Sequence, residues 1–96
     1  MFVVVLTYTK PLAEVDQHLQ AHRAWLQGQY QAGTFLASGR QNPPVGGVIL
    51  ARAASRQALD QALAQDPFAI HQLAQYQVIE FTPNLTLPEY AGLKEA

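Results

Sequence analysis

Apolar positions change period several times along the chain, and each change predicts an element. Residues 2–8, FVVVLTY, are β-branched or aromatic and apolar on both parities, so the spacing predicts a strand covered on both faces and central in its sheet. Lys10 and Pro11 break this run, and Pro11 suits the first turn of a helix, where its missing N–H costs nothing. From Leu12 the period becomes helical. Leu12, Val15, Leu19, Leu26 and Tyr30 follow i, i+3/i+4 spacing and span roughly 60° of the helical wheel. Gly33 is placed to end this helix. TFLASGR is a second strand, and QNPPVGG, with two prolines and two glycines, is a turn. Residues 48–52, VILAR, again apolar on both parities, predict a second central strand. Ser55 caps a helix that runs to about Gln65, with Ala58, Leu59, Ala62 and Leu63 as its buried stripe. Asp66-Pro67 interrupts it, and a short helical turn reaches to about Ala74. Residues 76–82, YQVIEFT, form the last strand, and Gln77 and Glu80 place it at an edge.

The order is β-α-β-β-α-β, which predicts an α+β, ferredoxin-like sandwich with antiparallel sheet order 4-1-3-2. Both helices then cover one sheet face through right-handed crossovers. The other face needs cover, and a second copy of the chain, a homodimer, is the expected source. Residues 1–83 form one domain. Residues 84–96 form a tail with two prolines, too short for a domain and placed to pack on the partner subunit.

Composition narrows the function classes. A chain of 96 residues with 49% hydrophobic and 14% charged residues is one globular domain. Six Lys and Arg are scattered and the net charge is −1, so no basic stripe is available for a nucleic-acid backbone. The absence of cysteine excludes disulfides, thiolate catalysis and cysteine-bound metals. The opening MFVVVLTYTKP has no basic leader, and its apolar run is too short for a signal-peptide core or a membrane span. The expectation is a cytoplasmic protein.

His22 is the residue that breaks the pattern, because it lies inside the apolar arc of the first helix. Burial favours the neutral ring, and a neutral imidazole with one free lone pair is a usable general base. The plain alternative is a core histidine bonded to a backbone carbonyl. Asp66 is an N-cap for the turn that Pro67 starts. It is also ten residues past Arg56, as His22 is ten past Leu12, so both lie about 15 Å along neighbouring helices at ~1.5 Å per residue. Equal depth can bring the carboxylate to the imidazole, where it fixes the tautomer and stabilises the imidazolium.

Together, MFVVVLTYTKPL, the histidine of AHRAWL, FLASGRQNP, GGVILAR, the DPF of residues 66–68 and YQVIEF resemble the YciI-like (YCII-related) family. The resemblance covers about residues 1–83. It implies a dimeric α/β barrel and a catalytic pair that corresponds to His22 and Asp66. It further implies a substrate pocket beside Ser38 and Gly39, with Pro67 and Phe68 of the DPF motif, and chemistry without a cofactor. One relative in that family removes chloride from a chlorinated hydroxyhydroquinone. The function expected on these grounds is proton transfer of a lyase or isomerase type on a small carbonyl or aromatic compound. A small-molecule binding or sensor module using the same pocket is the alternative.

Other candidates are weaker. His18 and His22, with Glu14 one turn earlier, have metal-ligand spacing, but Leu19 stands where the usual metalloprotease helix has Glu, so no metal is expected. His18 and His71 are expected at the surface. Trp25 and Phe35 read as ordinary core, and Arg23 as a solvated arginine that could alternatively hold an anion.

Overall fold

Phe2–Tyr8 form the first strand, β1, in the computed structural model, which describes residues 1–95. The chain continues through α1 (Leu12–Asp16), α2 (Leu19–Gln31), β2 (Phe35–Arg40), β3 (Gly46–Ala51), α3 (Arg56–Leu63), α4 (Pro67–Ile70) and β4 (Ala74–Glu80). A 3-10 segment, Pro88–Glu95, closes the described chain. The four strands form one antiparallel sheet in the order β2-β3-β1-β4. This is the expected ferredoxin-like α+β arrangement, with β1 and β3 central and β4 at an edge.

Strand parity sorts the sheet into two faces. Phe2, Val4 and Leu6 of β1 stand beside Ala51, Ile49 and Gly47 of β3 and beside Glu80, Val78 and Tyr76 of β4. Apart from Gly47, Glu80 and the half-buried Val78 and Tyr76, these are buried, and with Val15, Leu59, Leu63, Phe68 and Leu73 they make the core under the helices. On the opposite face Val3 pairs with Leu50 and Ile79, and Val5 with Val48 and Gln77. No α-helix among the described residues covers that face, and Val48 and Ile79 are 38% and 46% exposed.

The helices depart from expectation most at the first of them. The predicted single helix from Leu12 is two. The amides of Gln17 and His18 bond back three residues, to Glu14 and Val15, and the four-residue ladder resumes only with His22 N–H on the His18 carbonyl. Tightened bonds of this kind close one helix and reset the phase of the next. Leu12 consequently lies off the buried stripe, 38% exposed, while Val15 is fully buried.

The end of α2 is as predicted. Gly33 adopts φ +77°, its amide bonds the Tyr30 carbonyl, and the Thr34 amide bonds that of Gln29. That pairing is a Schellman cap, and the positive φ favours glycine. Ser55 caps α3 by accepting from the Ala58 amide, and α3 ends at Leu63, two residues before the predicted stop. The predicted turn to Ala74 is the shorter α4, and Ala74 already belongs to β4, which ends at Glu80 rather than residue 82.

Gly46 and Gly47 are the second correction, because both lie in β3 and not in the preceding turn. A Cβ on Gly46 would stand 1.7 Å from the Leu6 carbonyl oxygen, so β1 and β3 can approach here only over a glycine. Past residue 83 the tail carries exposed Leu85, Leu87 and Tyr90. Ala96, its last residue, lies outside the described residues.

Candidate functional site

His22 sits in the second turn of α2, on the side that faces the sheet, and is 9% exposed. Asp66 is fully buried at the N-cap of α4, where Pro67 occupies the first helical position. Its carboxylate is held from three directions. Oδ1 accepts from the Phe68 amide at 3.0 Å and lies 2.7 Å from His22 Nδ1. Oδ2 accepts a hydrogen bond from the Tyr76 hydroxyl, which comes from β4. An ionised carboxylate so enclosed accepts only, and a neutral imidazole bonded to it at Nδ1 would keep its proton there and leave Nε2 unprotonated. Among the described residues Nε2 has no protein partner.

The hydroxyl of Tyr76 is held protonated far above the ordinary phenol range, first by burial and then by its bond to Asp66. It is therefore the donor in its bond to Asp66. Tyr76 was not singled out from the sequence, where YQVIEF shows only an aromatic residue on a strand.

The His22 ring is stacked on Phe68, with ring centroids 3.9 Å apart and planes 2° from parallel. Both border an open cleft of about 300 Å³ between α2 and the sheet. Its apolar lining comes from Leu6, Leu19, Leu26 and Ile49, and its polar rim from Arg23, Ser38 and Arg40. Gly47 falls between Leu6 and Arg40 in one cross-strand row, and its missing side chain leaves the floor hollow there. Ser38 lies on β2 with its hydroxyl 2.7 Å from that of Tyr30. Arg40 donates through Nε to the Tyr8 hydroxyl at 3.1 Å and through Nη2 to Asp16 at 2.6 Å. Those two bonds, Asp16 foremost, raise the Arg40 pKa still further.

The cleft thus brings together His22, Ser38, Gly39 and Phe68 of the residues expected there, with Asp66 directly behind His22. Pro67 does not line it. Its fixed φ starts α4 and sets the Asp66 cap, so it shapes the site from outside. Sequence reasoning missed Tyr8, Asp16, Arg40 and Tyr76, which come from separate elements and are joined only by folding. Arg23 is exposed, as a solvated arginine would be, and it also borders the cleft.

Of the remaining histidines, His71 is at the surface as expected, and only His18 departs from that place. His18 is half-buried, and its ring stacks on that of the exposed His71 at 4.1 Å. His18 and His22 therefore turn to different partners despite their helical spacing. No group of three or more His, Cys, Asp or Glu able to hold a metal ion occurs among the described residues. Trp25 packs on the core and donates to the Ala62 carbonyl at 3.1 Å, tying α2 to α3. No helix among the described residues is long and apolar enough to cross a membrane.

Comparison with known proteins bears on this arrangement. No curated protein matches the chain. Among solved structures, 5-chloro-2-hydroxyhydroquinone dehydrochlorinase from Burkholderia phenoliruptrix AC1100, in complex with 2,5-dihydroxybenzoquinone, shares the fold with a TM-score of 0.70. The two are 17% identical, over 84% of this chain and 93% of that one. The profile of the YCII-related domain matches residues 1–82. With that match over most of its length, the chain belongs to the YCII-related family.

Proposed function

We propose that this protein is a small cofactor-independent enzyme in which His22 moves a proton on a small carbonyl or aromatic compound. The observation that carries this reading is the His22–Asp66 contact. A fully buried, triply bonded carboxylate takes Nδ1, and this leaves Nε2 as the free nitrogen of a ring that borders an open cleft. A histidine kept only for the core would have no need of the cleft. Asp66 orients the ring and stabilises the imidazolium when Nε2 takes a proton. Phe68 walls the site, Gly39 lines it, Ser38 donates a hydrogen bond to the bound molecule, and Pro67 acts through the Asp66 cap.

The finer reading is loss of a leaving group, of the kind named for the structural neighbour. From a chlorinated hydroxyhydroquinone, a proton moves from a ring hydroxyl to the chlorine-bearing carbon. A second hydroxyl proton leaves as chloride departs with the C–Cl electron pair. The net change is loss of HCl, which gives a hydroxyquinone and needs no external oxidant. Nε2 of His22 is the group that receives and returns protons in both steps.

The assembly belongs to the same reading. A second copy laid on the helix-free face would cover Val3, Val5, Val48, Leu50 and Ile79, and the tail beyond residue 83, with Leu85 and Leu87 exposed, would pack on that partner. The location proposed is the cytoplasm.

The test is product analysis with 5-chloro-2-hydroxyhydroquinone and related ring compounds. The expected result is chloride release by the wild-type protein and none by His22→Ala, with the fold unchanged by circular dichroism. A bound compound recovered unaltered after long incubation would instead assign the cleft to binding alone, and a fully active His22→Ala would remove His22 from the chemistry.

A further inference from the structure

We infer that the cleft selects a monocyclic oxyanion, such as an ionised phenol, enol or hydroxyquinone, and that Arg40 is the side chain that pairs with its charge. The inference rests on the proton-transfer reading only for the placement of the reacting atom at His22.

Charge is the first argument. Arg23 and Arg40 both line the cleft and no carboxylate does, in a chain whose net charge is −1. The positive lining is therefore a local feature and not the background of the molecule. Asp16 offsets part of the Arg40 charge, but it binds through Nη2 from outside the lining, and Arg23 has no ion-pair partner among the described residues.

Preorganisation is the second. A guanidinium has five N–H donors. Tyr8 and Asp16 use Nε and one N–H of Nη2, so the plane of the group is fixed while other donors stay free. Tyr8 is in turn packed edge-on to Phe68 at 6.0 Å, and Phe68 is stacked on His22. Base and cation are thus held in one aromatic frame. When Nε2 takes a proton, negative charge is left on a ligand oxygen, and a cation fixed beforehand stabilises it without reorganising.

Shape decides among anions. A cleft of about 300 Å³ is at the lower limit of small-molecule sites and holds roughly one ring. Leu6, Leu19, Leu26 and Ile49 make most of its wall apolar, which disfavours a compact, strongly hydrated ion such as free phosphate.

The experiment is ligand titration followed by the fluorescence of Trp25, the sole tryptophan, whose ring is 5.6 Å from that of His22. The probes are 2,5-dihydroxybenzoquinone, ionised at neutral pH, and its uncharged 2,5-dimethoxy analogue. The wild type is expected to prefer the ionised ring by about tenfold or more, the scale of a charge-assisted pair, with the preference falling as salt is added. Arg40→Met is expected to remove the preference while still binding the dimethoxy ring. Equal affinities in the wild type, or a preference that survives Arg40→Met, would overturn the inference. If Arg40→Met fails to fold, Arg23→Met and the salt titration of the wild type take its place: a preference that Arg23→Met removes, or one independent of salt, overturns the inference. The two readings fail separately. An ionic preference without turnover of any ring compound contradicts the proton-transfer reading alone, and turnover without an ionic preference contradicts this one alone.

Discussion

Asp66 is the residue whose loss the structure makes most costly. Asp66→Ala removes a fully buried acceptor from three donors, namely Phe68 N–H, Tyr76 O–H and the Nδ1–H of His22. Loss of the N-cap bond alone costs ~1 kcal/mol. A buried donor left without a partner costs about 1–3 kcal/mol. Tyr76 is only half-buried and recovers part of its bond from water, so the expected total is about 3–5 kcal/mol, the range for breaking a buried pair on one side. A domain of this size has roughly 5–15 kcal/mol in all, so the variant should be visibly weakened and near the limit of folding. Asp66→Asn keeps Oδ1 for Phe68 and His22 and should cost about 1–2 kcal/mol. It removes the negative charge that stabilises the imidazolium, so turnover should fall much more than stability does. Urea unfolding gives the stability difference if the m-value is unchanged. An Asp66→Ala protein within ~1 kcal/mol of the wild type at equal m would mean that the three bonds are not made as described.

Two further outcomes test the packing around the site. Tyr76→Phe should flatten the alkaline limb of the stability curve: the folded-state pKa of Tyr76 is raised, so its contribution is complete below the unfolded phenol value of about 10 and falls as pH rises above it. Thermal unfolding of both proteins across that limb is the check, and parallel curves would contradict the burial of Tyr76. Gly46→Ala forces a Cβ onto the Leu6 carbonyl and should cost about 1–3 kcal/mol or more, whereas Gly28→Ala, with nothing within 4 Å on an α2 helix, should stabilise by about 0.5–1 kcal/mol. Equal unfolding midpoints for these two variants would refute the close approach of β1 and β3.

Equal depth along two continuous helices does not explain how His22 meets Asp66, because the chain from Leu12 breaks at Gln17–His18, α2 starts only at Leu19, and α3 ends before Asp66, which caps α4. The inward turn of His22 was legible because its clue is local: Leu19, Leu26 and Tyr30 set that face of the helix. Central strands were legible for the same reason, since apolar residues on both parities of FVVVLTY and VILA require cover on both faces. What was not legible depends on long-range register. Tyr76 reaches Asp66 because β4 pairs with β1 so that Tyr76 lies beside Leu6. Arg40 meets Tyr8 and Asp16 only once β2, β1 and α1 converge. The break at Gln17–His18 carries no proline or glycine, and it coincides with the stacking of His18 on His71, a contact across 53 positions of sequence (71 minus 18). The glycines at 46–47 look like turn residues in sequence, yet their role is the close approach of two strands.

The central claim is that Asp66 fixes the His22 ring so that Nε2 presents a free lone pair to the cleft. Nitrogen-15 chemical shifts of the His22 ring, recorded where the ring is neutral, measure this directly. The account predicts a protonated Nδ1 and an unprotonated, pyridine-type Nε2, and Asp66→Ala should let the two tautomers mix. A ring protonated at Nε2 in the wild type would contradict the account, because the nitrogen facing the cleft could not then accept a proton.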